Sequence, residues 1–118
     1  MNVILHITRQ ADWEQAQTQG SYRADTLASQ GFIHCSRPEQ VIPVANHLFR
    51  GQTDLVLLVI DRDKVRAPIR DENLEGGESL YPHIYGPLNL DAVVHVIDFP
   101  PRADGSFTPP EALTSIMR

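Results

Sequence analysis

Leu55-Val56-Leu57-Leu58-Val59-Ile60 is the longest strongly apolar run in the chain, and it has no charged or hydroxyl side chain to turn toward water. A run of this length suits a strand covered on both faces at the centre of a sheet, and it is far too short to span a bilayer. Other strand-like segments flank it at irregular spacing: Val3 to Ile7, Phe32 to Cys35, and Val93 to Phe99. These four segments are expected to share one sheet system. Between them lie short helical patterns: Arg9 to Thr18 with Trp13 and Ala16 inward, a turn at 25–29, and a helix after Ser36 carrying Val41, Val44, Ala45, Leu48 and Phe49. A C-terminal helix begins near Glu111 after Thr108-Pro109-Pro110. The irregular order favours an α+β domain with a small mixed or mostly antiparallel sheet flanked by short helices over a doubly wound one.

Local signals refine this outline. Thr8 can cap the first helix, and Gly20 ends it. Ser36-Arg37-Pro38-Glu39 has the form of a capping box, while Pro43 predicts a kink or a broken first turn. The polar stretch 67–77 is expected to loop out. Tyr81-Pro82-His83-Ile84-Tyr85-Gly86-Pro87 is expected to be a rigid, non-regular loop.

The chain of 118 residues is expected to form one domain, with 42% hydrophobic and 21% charged residues, which argues against disorder. Its net charge of -5 speaks against extended nucleic-acid binding, which relies on many Lys and Arg contacts to phosphate. A small anionic ligand in a local basic pocket fits, with Arg9, Arg23 and Arg37 near the motif segments. A single cysteine, Cys35, and the absence of a leader-like N-terminus point to the cytoplasm, and no membrane association is expected.

Candidate functional residues come from three segments that should build a polar cleft. His6 sits within an apolar strand, on the face of Ile4, with Leu5 and Ile7 opposite. His34 and Ser36 share a face of the second strand. Cys35 faces the other way and is expected to be a buried small hydrophobe rather than a nucleophile. A helix starting after Ser36 would aim N–H groups at the strand end, and Arg37 would add charge, so a small phosphate-bearing molecule is the expected ligand. His83 lies in the Tyr81-to-Pro87 segment, whose alternative role is a tight turn with packed tyrosines. His47 is expected in solvent and His95 at the core or rim. A metal site made of His6, His34 and His83 lacks the short-spaced pair such sites favour, and no metal is expected.

Phe32-Ile33-His34-Cys35-Ser36 followed by Tyr81-Pro82-His83-Ile84-Tyr85-Gly86-Pro87-Leu88 resembles the signature of the domain-of-unknown-function 952 family of bacterial and plant proteins. Gly20 to Tyr22 and the apolar third strand extend the resemblance over nearly the whole chain. More distantly, Ile4-Leu5-His6-Ile7-Thr8 is similar to the first-strand motif of ADP-ribosyltransferase-like proteins. Phe32 to Ser36 is similar to the second motif of RNA 2'-phosphotransferases of that superfamily. The resemblance implies a split, mostly antiparallel sheet around a cleft that takes NAD or a related nucleotide. It also implies roles: His6 and Ser36 orienting, His34 and Arg37 holding phosphate, Tyr22 or Tyr85 stacking, and Thr8 and Arg23 in ligand contact. Many transferases place a glutamate in the third motif. Here His83 stands there, with Glu78 several residues earlier. The resemblance implies an ADP-ribosyl- or phosphotransferase-like enzyme acting on NAD or a related nucleotide, with His83 or Glu78 stabilising the charge that develops. The alternative is a non-catalytic module for a nucleotide or small anion, and the third option is a structural domain with a protein partner.

Overall fold

The computed structural model describes residues 2–74 and 76–117. The central apolar run forms β4 (Leu55–Asp61), which pairs antiparallel with β1 (Val3–Arg9) on one side and β8 (Val93–Asp98) on the other. Both faces of β4 are covered, as the unbroken apolar sequence requires. Leu55, Leu57 and Val59 join a core with Leu5, Ile7, Phe99, Phe107 and Leu113. Val56, Leu58 and Ile60 join a second core with Ile4, Trp13, Tyr22, Ile33 and Ile84. Each of these side chains contributes about 1.5–3 kcal/mol through its removal from water, so β4 is the element to which the other layers are anchored.

Helix α1 (Gln10–Gln19) follows β1 and places Trp13 and Ala16 on the second core. Next come β2 (Ser21–Tyr22), α2 (Asp25–Gln30) and β3 (Ile33–His34). A single 3-10 turn, Pro38–Gln40, leads into α3 (Val41–Leu48), whose Val41 and Ala45 reach the first core. Beyond β4 lie β5 (Ile69–Glu72), β6 (Tyr81–Ile84) and β7 (Leu88–Asn89), and α4 (Glu111–Ile116) follows β8.

The α+β class holds, and every strand pairing is antiparallel. The single sheet system does not hold. Among the described residues the strands form three ladders, β1-β4-β8, β2-β7 and β3-β6-β5, and the segment around Ile33 belongs to the third. One isolated bridge, Leu5 with Ser36, joins the first ladder to the third through two backbone bonds of 2.8 Å.

Two further expectations are corrected. The stretch 67–77 contains β5, whose Asp71 takes a two-pronged ion pair from Arg62 at 2.9 and 2.7 Å. The segment that starts at Tyr81 is strand β6, despite Pro82. Ile84 supplies a buried side chain there, and Pro82 offers its carbonyl to the Cys35 N–H at 3.0 Å. Its missing donor is tolerated where only an acceptor is needed.

The caps also differ. Thr8 lies within β1, and Arg9 precedes α1 with no side-chain cap. The capping box is displaced by one residue: Arg37 N–H donates to Gln40 Oε1 at 2.9 Å, and Ser36 is not part of it. Pro43 falls in the first turn of α3, after the 3-10 turn, which is the broken start that it predicts.

Candidate functional site

Alternation along β1 sends Val3, Leu5 and Ile7 to one core and leaves His6 and Thr8 on the face of Ile4. Both are buried, at 8% and 6% exposure, so their polar atoms need partners. His6 Nδ1 is 2.5 Å from the His34 carbonyl oxygen, and His6 Nε2 is 2.7 Å from Tyr22 Oη. Tyr22 Oη is in turn 2.9 Å from Thr8 Oγ1.

The protons in this chain can be placed by elimination. Burial is the main cause that lowers the His6 pKa to about 4; the His34 carbonyl opposes it, and the His34 ring adds a smaller push in the same direction as burial. His6 is therefore neutral at pH 7 and carries one ring proton. A carbonyl can only accept, so that proton sits on Nδ1 and is donated to His34. Nε2 then accepts from the Tyr22 hydroxyl, which leaves the Tyr22 oxygen to accept from Thr8. Burial also raises the Tyr22 pKa to about 12, against the Thr8 bond, so Tyr22 keeps its proton.

The polarised chain runs from Thr8 through Tyr22 and His6 to the His34 carbonyl. Both His6 nitrogens are occupied. The groups this arrangement presents to a ligand are therefore hydroxyls, and His6 sets their direction without offering a free base.

The chain lies along a cavity of about 800 Å³ that His6, Thr8, Tyr22, Arg23, His34 and Ser36 all line. This volume falls within the range of small-molecule sites. The cavity arises where two strands part. Leu5 and Ser36 make the last rung between β1 and the β3 segment. The next rung would join Ile7 to His34, but the His34 carbonyl is taken by the His6 ring instead. Leu5 turns its N–H and C=O toward Ser36, so Ile7, two residues on, turns its own toward the same side, away from β4. Ile7 also lines the cavity, and its main chain adds a donor beside an acceptor. The Ser36 hydroxyl makes no hydrogen bond to any described residue, and neither does the Arg23 guanidinium, which stands exposed at the rim. Arg9, also at the rim, is paired with Asp12 at 3.2 Å.

The remaining predicted residues lie elsewhere. His83 is fully buried and packs edge-on against His34, with centroids 5.3 Å apart, and against Phe32 at 4.9 Å. Tyr85 extends this aromatic group through Phe32 at 5.5 Å. Its hydroxyl donates to Glu72, and Arg70 covers its ring at 5.0 Å. His34 belongs to both groups. Its carbonyl holds His6, while its ring faces His83 and reaches Gln30 Oε1 at 2.8 Å through Nε2. His83 and Tyr85 are thus not among the cavity-lining residues, nor is the exposed Glu78.

The anion site expected at the helix start is not formed. Pro38 has no N–H, the Arg37 N–H is held by Gln40, and the Arg37 guanidinium donates to Glu39 at 2.9 Å and the Leu80 carbonyl at 3.0 Å. Cys35 is buried, and burial raises its pKa, which suits the packing role expected of it. His47 and His95 are both exposed. No group of three or more potential metal ligands occurs among the described residues, and no helix among them is long and apolar enough to cross a membrane.

Sequence patterns missed part of the cavity wall. Asp12, Gln15 and Asp25 enter it from α1 and α2, and Val44, Leu48 and Phe49 from α3 and its end. The apolar spacing of α3 was visible in the sequence, but spacing alone cannot tell a core face from a cavity face.

The chain belongs to the family described as protein of unknown function DUF952, which it matches over residues 7–96. It is similar to protein CC0527 from Caulobacter crescentus, whose crystal structure is 33% identical, covers 95% of this chain and 98% of that one, and superposes with a TM-score of 0.85. The crystal structure of a double mutant of CC0527 gives 0.84 at the same identity and coverage. The solution structure gives 0.79 at 34% identity, covering 92% of this chain and 93% of that one. No curated protein matches the chain.

Proposed function

We propose that the cavity binds NAD or a related nucleotide, and that it does so as a binding site with weak or absent transfer chemistry. The observation that carries this is the polarised chain Thr8–Tyr22–His6–His34 beside the unengaged Ser36 hydroxyl. Ribose presents adjacent hydroxyls that both donate and accept. Thr8, Tyr22 and Ser36 are hydroxyls of the same kind, the first two held in one direction by a neutral imidazole. The Ile7 main chain offers a donor next to an acceptor, the complement of a carboxamide. Arg23 at the rim suits a phosphate, and this role replaces the one first expected of Arg37.

Cleaving the bond between nicotinamide and ribose develops positive charge on the ribose, which an electron-rich group must stabilise. His83 stands where the resemblance to transferases would put a carboxylate, but it is buried and packed against His34, and an imidazole ring carries no negative charge. This is the reason for favouring binding over turnover.

A thermal-shift series with NAD, ADP-ribose and nicotinamide, together with a chromatographic assay for released nicotinamide, tests both halves. The expected result is stabilisation by NAD and ADP-ribose with little or no release. Release that persists in His83→Ala and disappears in Glu78→Gln would overturn the non-catalytic half.

A further inference from the structure

The cavity has a second, chemically different half. Val44 and Leu48 of α3 stand one turn apart on its wall, as do Pro43 and His47, with Phe49 at the helix end. Val41 and Ala45 turn the other way and are fully buried in the core. The apolar face of α3 is therefore wider than the core it covers. Leu48 is 63% exposed, and it lines the same cavity as Tyr22, Thr8 and Arg23. The main-chain polar groups of Ile7 lie in the same cavity, so a wholly apolar occupant would leave them and the hydroxyls unpaired. A wholly polar occupant would leave Val44 and Leu48 facing its water shell.

We propose that the α3 wall is an apolar subsite, and that the ligand is an amphipathic anion: hydroxyl- or phosphate-bearing toward Tyr22 and Arg23, and aliphatic or aromatic toward Val44 and Leu48. This rests on the polar half being a ligand site, and it adds a requirement that the polar half does not impose. The rim charge supports the anionic end, because Arg23 is a cation with no ion pair to any described residue. Leu48 and Val44 are then specificity-determining, selecting among phosphate-bearing molecules those that also carry an apolar group.

The probe is 1-anilinonaphthalene-8-sulfonate, an aromatic anion whose fluorescence rises in apolar sites. It is titrated into the wild type, Leu48→Glu and Val96→Glu, with folding checked by circular dichroism. Leu48 and Val96 are both exposed, at 63% and 42%, so neither change removes core packing. Saturable binding is expected in the wild type, weakened roughly tenfold in Leu48→Glu, as the loss of one apolar contact surface allows, and unchanged in Val96→Glu. Equal affinity in Leu48→Glu and Val96→Glu, or no saturable binding in the wild type, overturns the subsite. A parallel NAD titration separates the two ideas. NAD binding with a probe indifferent to Leu48→Glu sinks only the subsite. A Leu48-dependent probe site with no NAD binding sinks only the nucleotide reading.

Discussion

Tyr22 is the residue on which the polar half of the cavity turns. It is 3% exposed and lies between His6 and Thr8, so Tyr22→Phe preserves the ring and removes the hydroxyl that satisfies His6 Nε2. Leaving a buried acceptor unpaired costs about 1–3 kcal/mol, and urea unfolding should read a loss of that size. His6 adds a pH dependence. The unfolded chain protonates histidine near 6.5, whereas His6 in the fold does so only near about 4. Between these values the unfolded state binds more protons, so the stability present above pH 6.5 drains as pH falls and levels off below about 4. Each unit of this window is worth about 1.4 kcal/mol, on the order of 3 kcal/mol in all. Unfolding measured at pH 7.5 and 5.0 should show a loss that shrinks in His6→Asn. The interval from pH 6.5 to 5 isolates histidine, because carboxylates titrate lower. An unchanged slope in His6→Asn would remove His6 from the neutral-imidazole account.

At the scale of elements, the two starts of α3 that sequence and structure suggest make different predictions. If Ser36 were the cap, Ser36→Ala would destabilise. In the fold, Gln40 does this work: its Oε1 accepts from the Arg37 N–H and its Nε2 donates to the Leu80 carbonyl at 2.8 Å, tying α3 to the start of β6. Gln40→Ala should therefore lower stability by about 1–2 kcal/mol, while Ser36→Ala should change it by less than about 0.5 kcal/mol and affect ligand binding instead. The reverse pattern in thermal unfolding would restore the Ser36 cap. β4 was readable because six consecutive apolar residues leave one solution, burial on both faces. β1 was readable from its β-branched residues, and alternation placed His6 on the face opposite Leu5; Thr8, expected as a helix cap, instead extends the same strand. β5 and β6 were not readable, because Ile69–Glu72 is largely exposed and Pro82 sits within a strand. What makes them strands is pairing with each other and with β3, a contact between distant segments that local pattern does not encode.

At the scale of the molecule, the same limit divides the candidate site. His6, Thr8, Tyr22, Arg23, His34 and Ser36 meet at one cavity, whereas His83, Tyr85 and Arg37 serve the aromatic cluster and the start of α3. The motif segments were legible, but the divergence of β1 from β3 after the Leu5–Ser36 bridge decided which of their side chains face the opening, and that divergence lies between two separate ladders, where local sequence pattern gives no signal. In the proposed function, the opening receives a nucleotide through the Tyr22-centred hydroxyls. The most direct test is calorimetric titration of NAD into the wild-type protein and into Tyr22→Phe at pH 7.5. Saturable binding is expected in the wild type, with an affinity at least about tenfold weaker in the variant, as the loss of one buried hydrogen-bonding group requires. No heat of binding at millimolar NAD, or the same affinity in Tyr22→Phe, would contradict it.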